Sequence, residues 1–239
     1  MNSNKLTIRT ADLTLRKSAL IAGISLLVMT VFVIIALSFI FQKLIVPEDA
    51  GTTIDNIITN VVKFRFGIFS YLIVILCDVV VALALYVFLK PVNNSLSLLA
   101  AWFRLIYSII FGIALTNYFN VLQLLSGADY LNVFETDQLH AQVMIALDRF
   151  NDVWGLGYVF FGLHLGLLGY LGFRSEYIPK VFGIILIIAG LSYLVDYSCK
   201  ILIPDFDLII SPYAGWGELL FVFWLLIKGS RIKELSYGE

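Results

Sequence analysis

The sequence predicts an all-α polytopic membrane protein, a six-transmembrane-helix bundle with a short outer amphipathic helix. The first observation is composition, because hydrophobic residues form 60% of the 239 residues, charged residues form 14%, and the mean hydropathy is +0.94. A soluble domain averages about 45–50% apolar and about 25% charged residues. The second observation is that the apolar residues gather into six segments of about 20 residues, the length that crosses a bilayer.

Composition and charge also exclude several classes of protein. They exclude an ordinary soluble enzyme and a disordered chain. The 16 basic and 17 acidic residues give a formal charge of −1, and nucleic-acid binding requires a basic surface. Cys77 and Cys199 lie inside apolar stretches, so we expect buried thiols rather than a disulfide framework.

The first apolar segment runs without a charge from Ser18 to Phe41. It is longer than a signal-peptide core of about 7–15 residues, and no small-residue cleavage site follows it, so we expect it to be retained. None of the segments alternates as barrel strands do. Residues 1–239 are therefore predicted to form a single integral membrane domain, with spans at about 18–41, 66–89, 95–122, 153–173, 181–203 and 212–229.

Basic residues predict the orientation, because cytoplasmic segments of membrane proteins carry an excess of Lys and Arg. With the N-terminus inside, ten of the sixteen fall on the inner side, and both termini are then cytoplasmic. These ten are Lys5, Arg9, Arg16, Lys17, Lys90, Arg174, Lys180, Lys228, Arg231 and Lys233. Ten acidic residues fall on the outer side, namely Glu48, Asp49, Asp55, Asp129, Glu135, Asp137, Asp148, Asp152, Asp205 and Asp207.

The outer segment 123–152 has a helical pattern of its own. Leu139, Val143, Leu147 and Phe150 recur at helical spacing. This predicts a short amphipathic helix that either lies on the membrane or extends the fourth span. Two roles are open for it, a cap over the mouth of the bundle and a gate for a substrate.

Ionisable residues interrupt five of the spans, at Asp78, Arg104, His164, Asp196 and Glu218 in chain order. A charge at mid-membrane costs at least about 2.5–3.5 kcal/mol, so such groups normally face the interior and have a partner. At about 1.5 Å per residue, Asp196 lies about 22 Å from the inner side and the other four about 13–16 Å. We therefore predict that Arg104 pairs with Asp78 or Glu218, because a planar guanidinium holds a carboxylate bidentately.

Two interpretations of these charges are open. Buried ion pairs can fix helix packing without any chemistry. Alternatively, the residues form a ligand or ion site. Three carboxylates face one guanidinium, so at least one carboxylate is expected to be protonated, bonded to His164 or bound to a cation.

Sequence motifs for enzymatic or metal chemistry are lacking. His164, Asp196 and Glu218 have the chemistry of a mixed metal site, but no HExxH or CxxC spacing accompanies them. There is no GxSxG motif for a nucleophilic serine. We therefore predict no catalytic residue, no metal site and no cofactor.

Two spans carry glycines on one helix face, which lets helix backbones approach closely. In the fourth span they recur at i, i+4 and i+7, and His164 lies about 200° around the helix from the first, toward the core. These glycines are Gly162, Gly166 and Gly169 in the fourth span and Gly183 and Gly190 in the fifth.

Aromatic residues near the predicted span borders are expected to anchor the helices at the membrane interface rather than bind a ligand. They are Trp154, Tyr158, Tyr213 and Trp216.

Two stretches, LAAWFRLIYS at 99–108 and FFGLHLGLLGYLGFRSEYIPKVFGIILIIAGLSYLVD at 160–196, resemble the membrane-protein family filed as domain of unknown function four-three-eight-six. The resemblance runs from the first span to the last and is weakest in the outer loops. It implies a six-helix bacterial inner-membrane protein with no established activity. Its stretches include Tyr107 and Tyr193, which join the five ionisable residues as candidates for ligand binding or ion pairing.

Three hypotheses of function follow. The leading one is a non-enzymatic membrane protein whose buried polar site binds or moves a small molecule, proton or cation. The second is a regulatory or interaction protein whose buried charges only lock helix packing. The third is an intramembrane enzyme acting on lipid, which needs a water-accessible cavity containing His164 and a carboxylate. The expected partners are the lipid bilayer, a small-molecule or ion ligand and a second copy of the chain, and no nucleic acid.

Overall fold

The computed structural model describes residues 14–203, 206 and 210–232. In this part the chain consists of helices that are joined by short connections. The acidic Asp205 and Asp207 and the basic Lys5, Arg9 and Lys233, which the orientation argument used, lie outside the described residues. The main helices are α1 (Leu15–Leu44), α2 (Ala50–Thr59), α3 (Val61–Leu89), α4 (Asn94–Leu124), α5 (Thr136–Arg174), α6 (Lys180–Leu202) and α7 (Ser211–Ile227).

Five of these helices, α1, α3, α4, α5 and α6, are long and apolar enough to cross a membrane. The prediction of an all-helical protein is confirmed for the described residues, and these five helices have the length and apolar composition predicted for membrane spans. The predicted sixth span corresponds to α7, which is shorter and is interrupted by a turn at Gly215. It ends at Ile227, two residues before the predicted end at 229.

The amphipathic segment extends the fourth span, because α5 is continuous from Thr136. A capping box between Glu135 and Gln138 starts the helix, satisfying backbone N–H groups that have no partner within it. The predicted apolar stripe faces inward, with Val143 and Phe150 almost fully buried. Of the two arrangements predicted for this segment, the structure has the extension of the fourth span.

Helix α2 lies inside what hydropathy indicates to be an outer connection. Asp49 caps the N-terminus of α2. One of its carboxylate oxygens accepts a hydrogen bond from the backbone N–H of Thr52 at 2.9 Å, and the other accepts one from the Thr52 hydroxyl at 2.7 Å. These bonds hold the pKa of Asp49 below its ordinary value. Ile54 and Ile57 are buried, so α2 covers part of the core with one face, which an average over 20 residues does not detect.

The long helices pack side by side in a ring. Helix α1 contacts α3, α3 contacts α4, α4 contacts α5, α5 contacts α6, and α7 contacts both α6 and α1. Polar side chains on the inner faces of these helices can therefore meet in the interior. Helix α1 includes a π-helical stretch over Ile35–Phe41.

The predicted glycines bring α5 and α6 into backbone contact. A Cβ on Gly169 would lie 2.6 Å from the carbonyl oxygen of Gly183, and one on Gly190 would lie 2.6 Å from the amide nitrogen of Gly166. Only glycine permits helices to approach this closely. The prediction of a tight glycine face is confirmed, and its partner is the glycine face of the next helix. His164 points the other way, toward α4.

Candidate functional site

Arg104 of α4 forms an ion pair with Asp78 of α3. Nη2 of Arg104 lies 2.7 Å from Oδ1 of Asp78, and the two side chains are 2% and 1% exposed. Of the two carboxylates considered as partners, Asp78 is the one in contact. The pair lies between neighbouring helices of the ring and joins them by charge.

His164 of α5 lies on the other side of Arg104. Its Nε2 is 3.1 Å from Nη1 of Arg104, and its Nδ1 is 2.8 Å from the carbonyl oxygen of Ala100. A guanidinium only donates and a carbonyl only accepts. Nε2 must therefore accept and Nδ1 must donate, so these contacts select the neutral imidazole protonated at Nδ1.

Two weaker contacts, one with sulfur and one with an aromatic ring, also surround the guanidinium of Arg104. Its Nη2 is 3.7 Å from Sδ of Met29, and its guanidinium carbon is 5.6 Å from the ring centroid of Phe161. Cation–π attraction of this kind stabilises a cation that has left water. Apart from the ion pair, neither oxygen of Asp78 nor Nε of Arg104 has a hydrogen-bond partner among the described residues. Asp78, Arg104 and His164 are referred to below as the Arg104 cluster.

The Arg104 cluster has no water-filled space beside His164. The gap bounded there by α3, α4 and α5 is too small to hold a water molecule, and His164 is 1% exposed. The hypothesis of a lipid-modifying enzyme required a water-accessible cavity at His164. The geometry gives that hypothesis no support.

Asp196 lies apart from the Arg104 cluster and caps α7. Its Oδ2 accepts hydrogen bonds from the backbone N–H groups of Ile210 at 2.7 Å and Ser211 at 2.6 Å. Such bonds satisfy amides that have no partner within the helix. This candidate ligand therefore has a structural task, holding the start of α7 against α6.

The mixed metal site considered from the sequence is not assembled. Nε2 of His164 is taken by Arg104, and Asp196 holds the backbone of α7. In the part of the chain that the structure describes, no three His, Cys, Asp or Glu side chains come together as a metal-binding group.

Glu218 faces a cleft of about 430 Å³ in the interior of the ring. The cleft lies where α1, α4, α5, α6 and α7 meet, and Tyr193 contacts the Glu218 carboxylate from α6. Glu218 is partly exposed to this space. We call it the Glu218 cleft, and the side chains that define it are Met29, Tyr107, Tyr158, Phe161, Tyr193 and Glu218.

Aromatic rings form most of the inner wall of the Glu218 cleft. Tyr107 packs on Phe161 at 4.9 Å between ring centroids, and Tyr158 stacks on Tyr193 at 5.3 Å. The indole N–H of Trp154 donates to the Tyr107 hydroxyl at 3.1 Å. Trp154 and Tyr158 therefore face inward, and their prediction as interfacial anchors is wrong. Tyr213 and Trp216 are exposed.

The Glu218 cleft adjoins the Arg104 cluster through a thin wall. Met29 and Phe161 each contact Arg104 on one side and line the cleft on the other. Neither of these residues nor Tyr158 was predicted as a site residue from the sequence, because they carry no charge and apolar and aromatic residues are common in membrane spans. The available signal was spacing, since Tyr158 and Phe161 lie three residues apart, on the same helix face.

Membrane-length helices around a buried ion pair define a multi-pass membrane protein. The chain belongs to the family described as "Domain of unknown function (DUF4386)", whose model matches residues 21–229. An uncharacterized protein of Archaeoglobus fulgidus is 34% identical over 170 residues, which cover 71% of this chain and 88% of the relative. No solved structure matches the chain.

Proposed function

We propose that this chain is a six-span protein of a bacterial cytoplasmic membrane, with both termini cytoplasmic, that binds a small molecule, proton or cation at Glu218. The Arg104 cluster serves in this proposal as a lock between helices. In this proposal the residues of the Arg104 cluster are structural, and Glu218 is the residue that binds the ligand.

The observation that carries the proposal is the position of Glu218. Asp78 neutralises Arg104, and the bonds of His164 select its neutral form. Among the described residues no Lys or Arg forms an ion pair with Glu218. An ionised Glu218 therefore places an uncompensated negative charge beside a cleft large enough for a ligand. A proton or a bound cation balances that charge.

Two arguments support counting α7 as a sixth span. At 1.5 Å per residue, α7 is about 25 Å long, close to the hydrocarbon thickness of roughly 30 Å. It also returns to α1, where Gly23 of α1 faces Leu226 of α7. An even number of spans places both termini on one side, and the distribution of Lys and Arg makes that side cytoplasmic.

Thermal unfolding in detergent tests the proposal. The purified protein is titrated with sodium, potassium and tetramethylammonium chloride at constant ionic strength, and across a series of buffers of different pH. Glu218→Gln is the test variant, and Glu176→Gln, an exposed glutamate on the α5–α6 turn, is the matched control. At least one cation or pH step should raise Tm by several degrees in the wild type and in Glu176→Gln, and not in Glu218→Gln. Equal responses in all three proteins would refute the proposal, because they would show that the stabilising cation or proton does not act at Glu218.

The second candidate function is that of a regulatory or interaction protein. It is supported by the Arg104 cluster, which is buried and has the contacts expected of residues that only hold helices together. The glycine faces that this reading would offer to a partner are occupied within the chain, because α5 and α6 use them against each other. This observation favours the ligand site over the interaction surface.

A further inference from the structure

The mouth of the Glu218 cleft lies between α1 and α7. Its rim carries Thr30, Val33 and Ile34 of α1 opposite Pro212 and Trp216 of α7. Ile34 is 47% and Trp216 is 69% exposed. In a chain whose helices cross the bilayer, apolar side chains exposed on the outer faces of helices contact lipid. The mouth therefore opens sideways toward the bilayer.

Away from the mouth, α1 and the C-terminal end of α7 are in close contact. A Cβ on Gly23 would lie 2.8 Å from Leu226, and one on Gly229, just after α7, would lie 3.1 Å from Ala19. The π-helical stretch of α1 begins at Ile35, directly after the rim. π-helical turns occur frequently at functional sites.

The charge of the Glu218 cleft selects a cation. The carboxylate of Glu218 contacts Tyr193, and the positive charge of Arg104 is already paired with Asp78 behind the wall of Met29 and Phe161. An anion entering the cleft would meet an unbalanced carboxylate, whereas a cation would neutralise it. Electrostatic complementarity therefore favours a single positive charge.

The walls of the Glu218 cleft select an organic cation over a metal ion. Mg²⁺ and Ca²⁺ require six or more oxygen ligands, and this cleft offers one carboxylate and a few hydroxyl groups among aromatic and aliphatic side chains. Faces of Tyr and Phe rings attract organic cations, which lose little hydration on leaving water. The volume of about 430 Å³ falls within the range of small-molecule sites.

We propose that the Glu218 cleft binds a lipophilic organic cation, which enters sideways from the bilayer between α1 and α7 and pairs with Glu218 among the tyrosine rings. This inference rests on the proposed function and names its ligand class. The lateral mouth explains why the ligand is lipophilic, and the lone carboxylate explains why it is positively charged.

Equilibrium binding of radiolabelled tetraphenylphosphonium to the protein in lipid nanodiscs tests this inference. Tetraphenylborate has almost the same shape and the opposite charge, and tetramethylammonium has the charge without the apolar surface. We expect saturable binding to the wild type and to Glu176→Gln, and binding at least about tenfold weaker to Glu218→Gln. Neither tetraphenylborate nor tetramethylammonium should compete at equal concentration.

A second variant, Gly215→Leu, keeps the charge of Glu218 and fills part of the Glu218 cleft. A Cβ on Gly215 would meet nothing closer than 3.6 Å, so Gly215→Leu should fold and place its side chain at the cleft. We expect it to lose tetraphenylphosphonium binding while its Tm stays near that of the wild type. Retention of full affinity by a folded Gly215→Leu or by Glu218→Gln would overturn the inference.

The result also separates this inference from the proposed function. If sodium, potassium, tetramethylammonium or protons stabilise the protein through Glu218 and tetraphenylphosphonium does not bind, the lipophilic ligand class is wrong and the site at Glu218 remains. If none of these probes acts through Glu218, both proposals fail.

Discussion

Arg104 and Asp78 meet at 2.7 Å between Nη2 and Oδ1, in a position where water reaches neither side chain. Removing one partner of a buried ion pair leaves an uncompensated charge and costs about 3–5 kcal/mol, whereas replacing both by apolar residues is often nearly neutral. Apart from this ion pair, the oxygens of Asp78 have no hydrogen-bond partner among the described residues, so compensation of the Asp78 charge depends on Arg104.

We therefore predict that Arg104→Met alone lowers the free energy of unfolding by about 3–5 kcal/mol. Asp78→Leu combined with Arg104→Met should lose much less than the sum of the single variants. Unfolding of all three in detergent micelles gives the coupling energy of a double-mutant cycle. Additive losses would show that the pair is not a unit. The double variant should also still bind tetraphenylphosphonium, because Glu218 keeps its charge.

The contacts of His164 predict a defined tautomer. Nδ1 donates to Ala100 and Nε2 accepts from Arg104, so ¹⁵N NMR of histidine-labelled protein at pH 7 should show a neutral ring protonated at Nδ1. The sequence has two histidines, and His140→Gln assigns the signals. A ring protonated at Nε2, or an imidazolium, would contradict the described geometry.

The glycine contact between α5 and α6 predicts a position-specific effect of one methyl group. Gly169→Ala would place Cβ 2.6 Å from the backbone of α6, and overpacking of this kind costs about 1–3 kcal/mol. Gly166→Ala is the control, because a Cβ there meets nothing within 4 Å. Thermal unfolding should separate the two variants, and equal Tm values would argue against the close approach.

The cap on α7 predicts a loss of stability without a loss of charge recognition. Asp196→Ala removes the acceptor of two backbone N–H groups and should cost about 0.5–2 kcal/mol. Asp196→Asn keeps an acceptor oxygen and should lose less. Both variants should bind tetraphenylphosphonium within about twofold of the wild type. A large loss of affinity at unchanged Tm would instead make Asp196 part of the binding site.

Hydropathy and charge predicted the five long helices and a carboxylate partner for Arg104, either Asp78 or Glu218, because both follow from one-dimensional properties: apolar length and depth along a span. The sequence could not predict which of the two acids would pair with Arg104. That depends on how each helix is rotated, which places Asp78 against Arg104 and Glu218 against Tyr193. Helix α2 was missed for a related reason, since hydropathy windows detect spans and not helices with one apolar face. The extension of the fourth span was one of the two arrangements that the helical spacing predicted.

The central claim is that Glu218 is the acid open to a ligand from the bilayer and Asp78 is sealed in a lock. A lipid-soluble carbodiimide modifies carboxyl groups that it reaches from the membrane. Treatment of membranes containing the protein, followed by mass spectrometry, compares the two acids in one molecule. We expect the carbodiimide to modify Glu218 and to leave Asp78 unmodified. Tetraphenylphosphonium should suppress the modification of Glu218. Modification of Asp78 as fast as Glu218, or an inert Glu218, would contradict it.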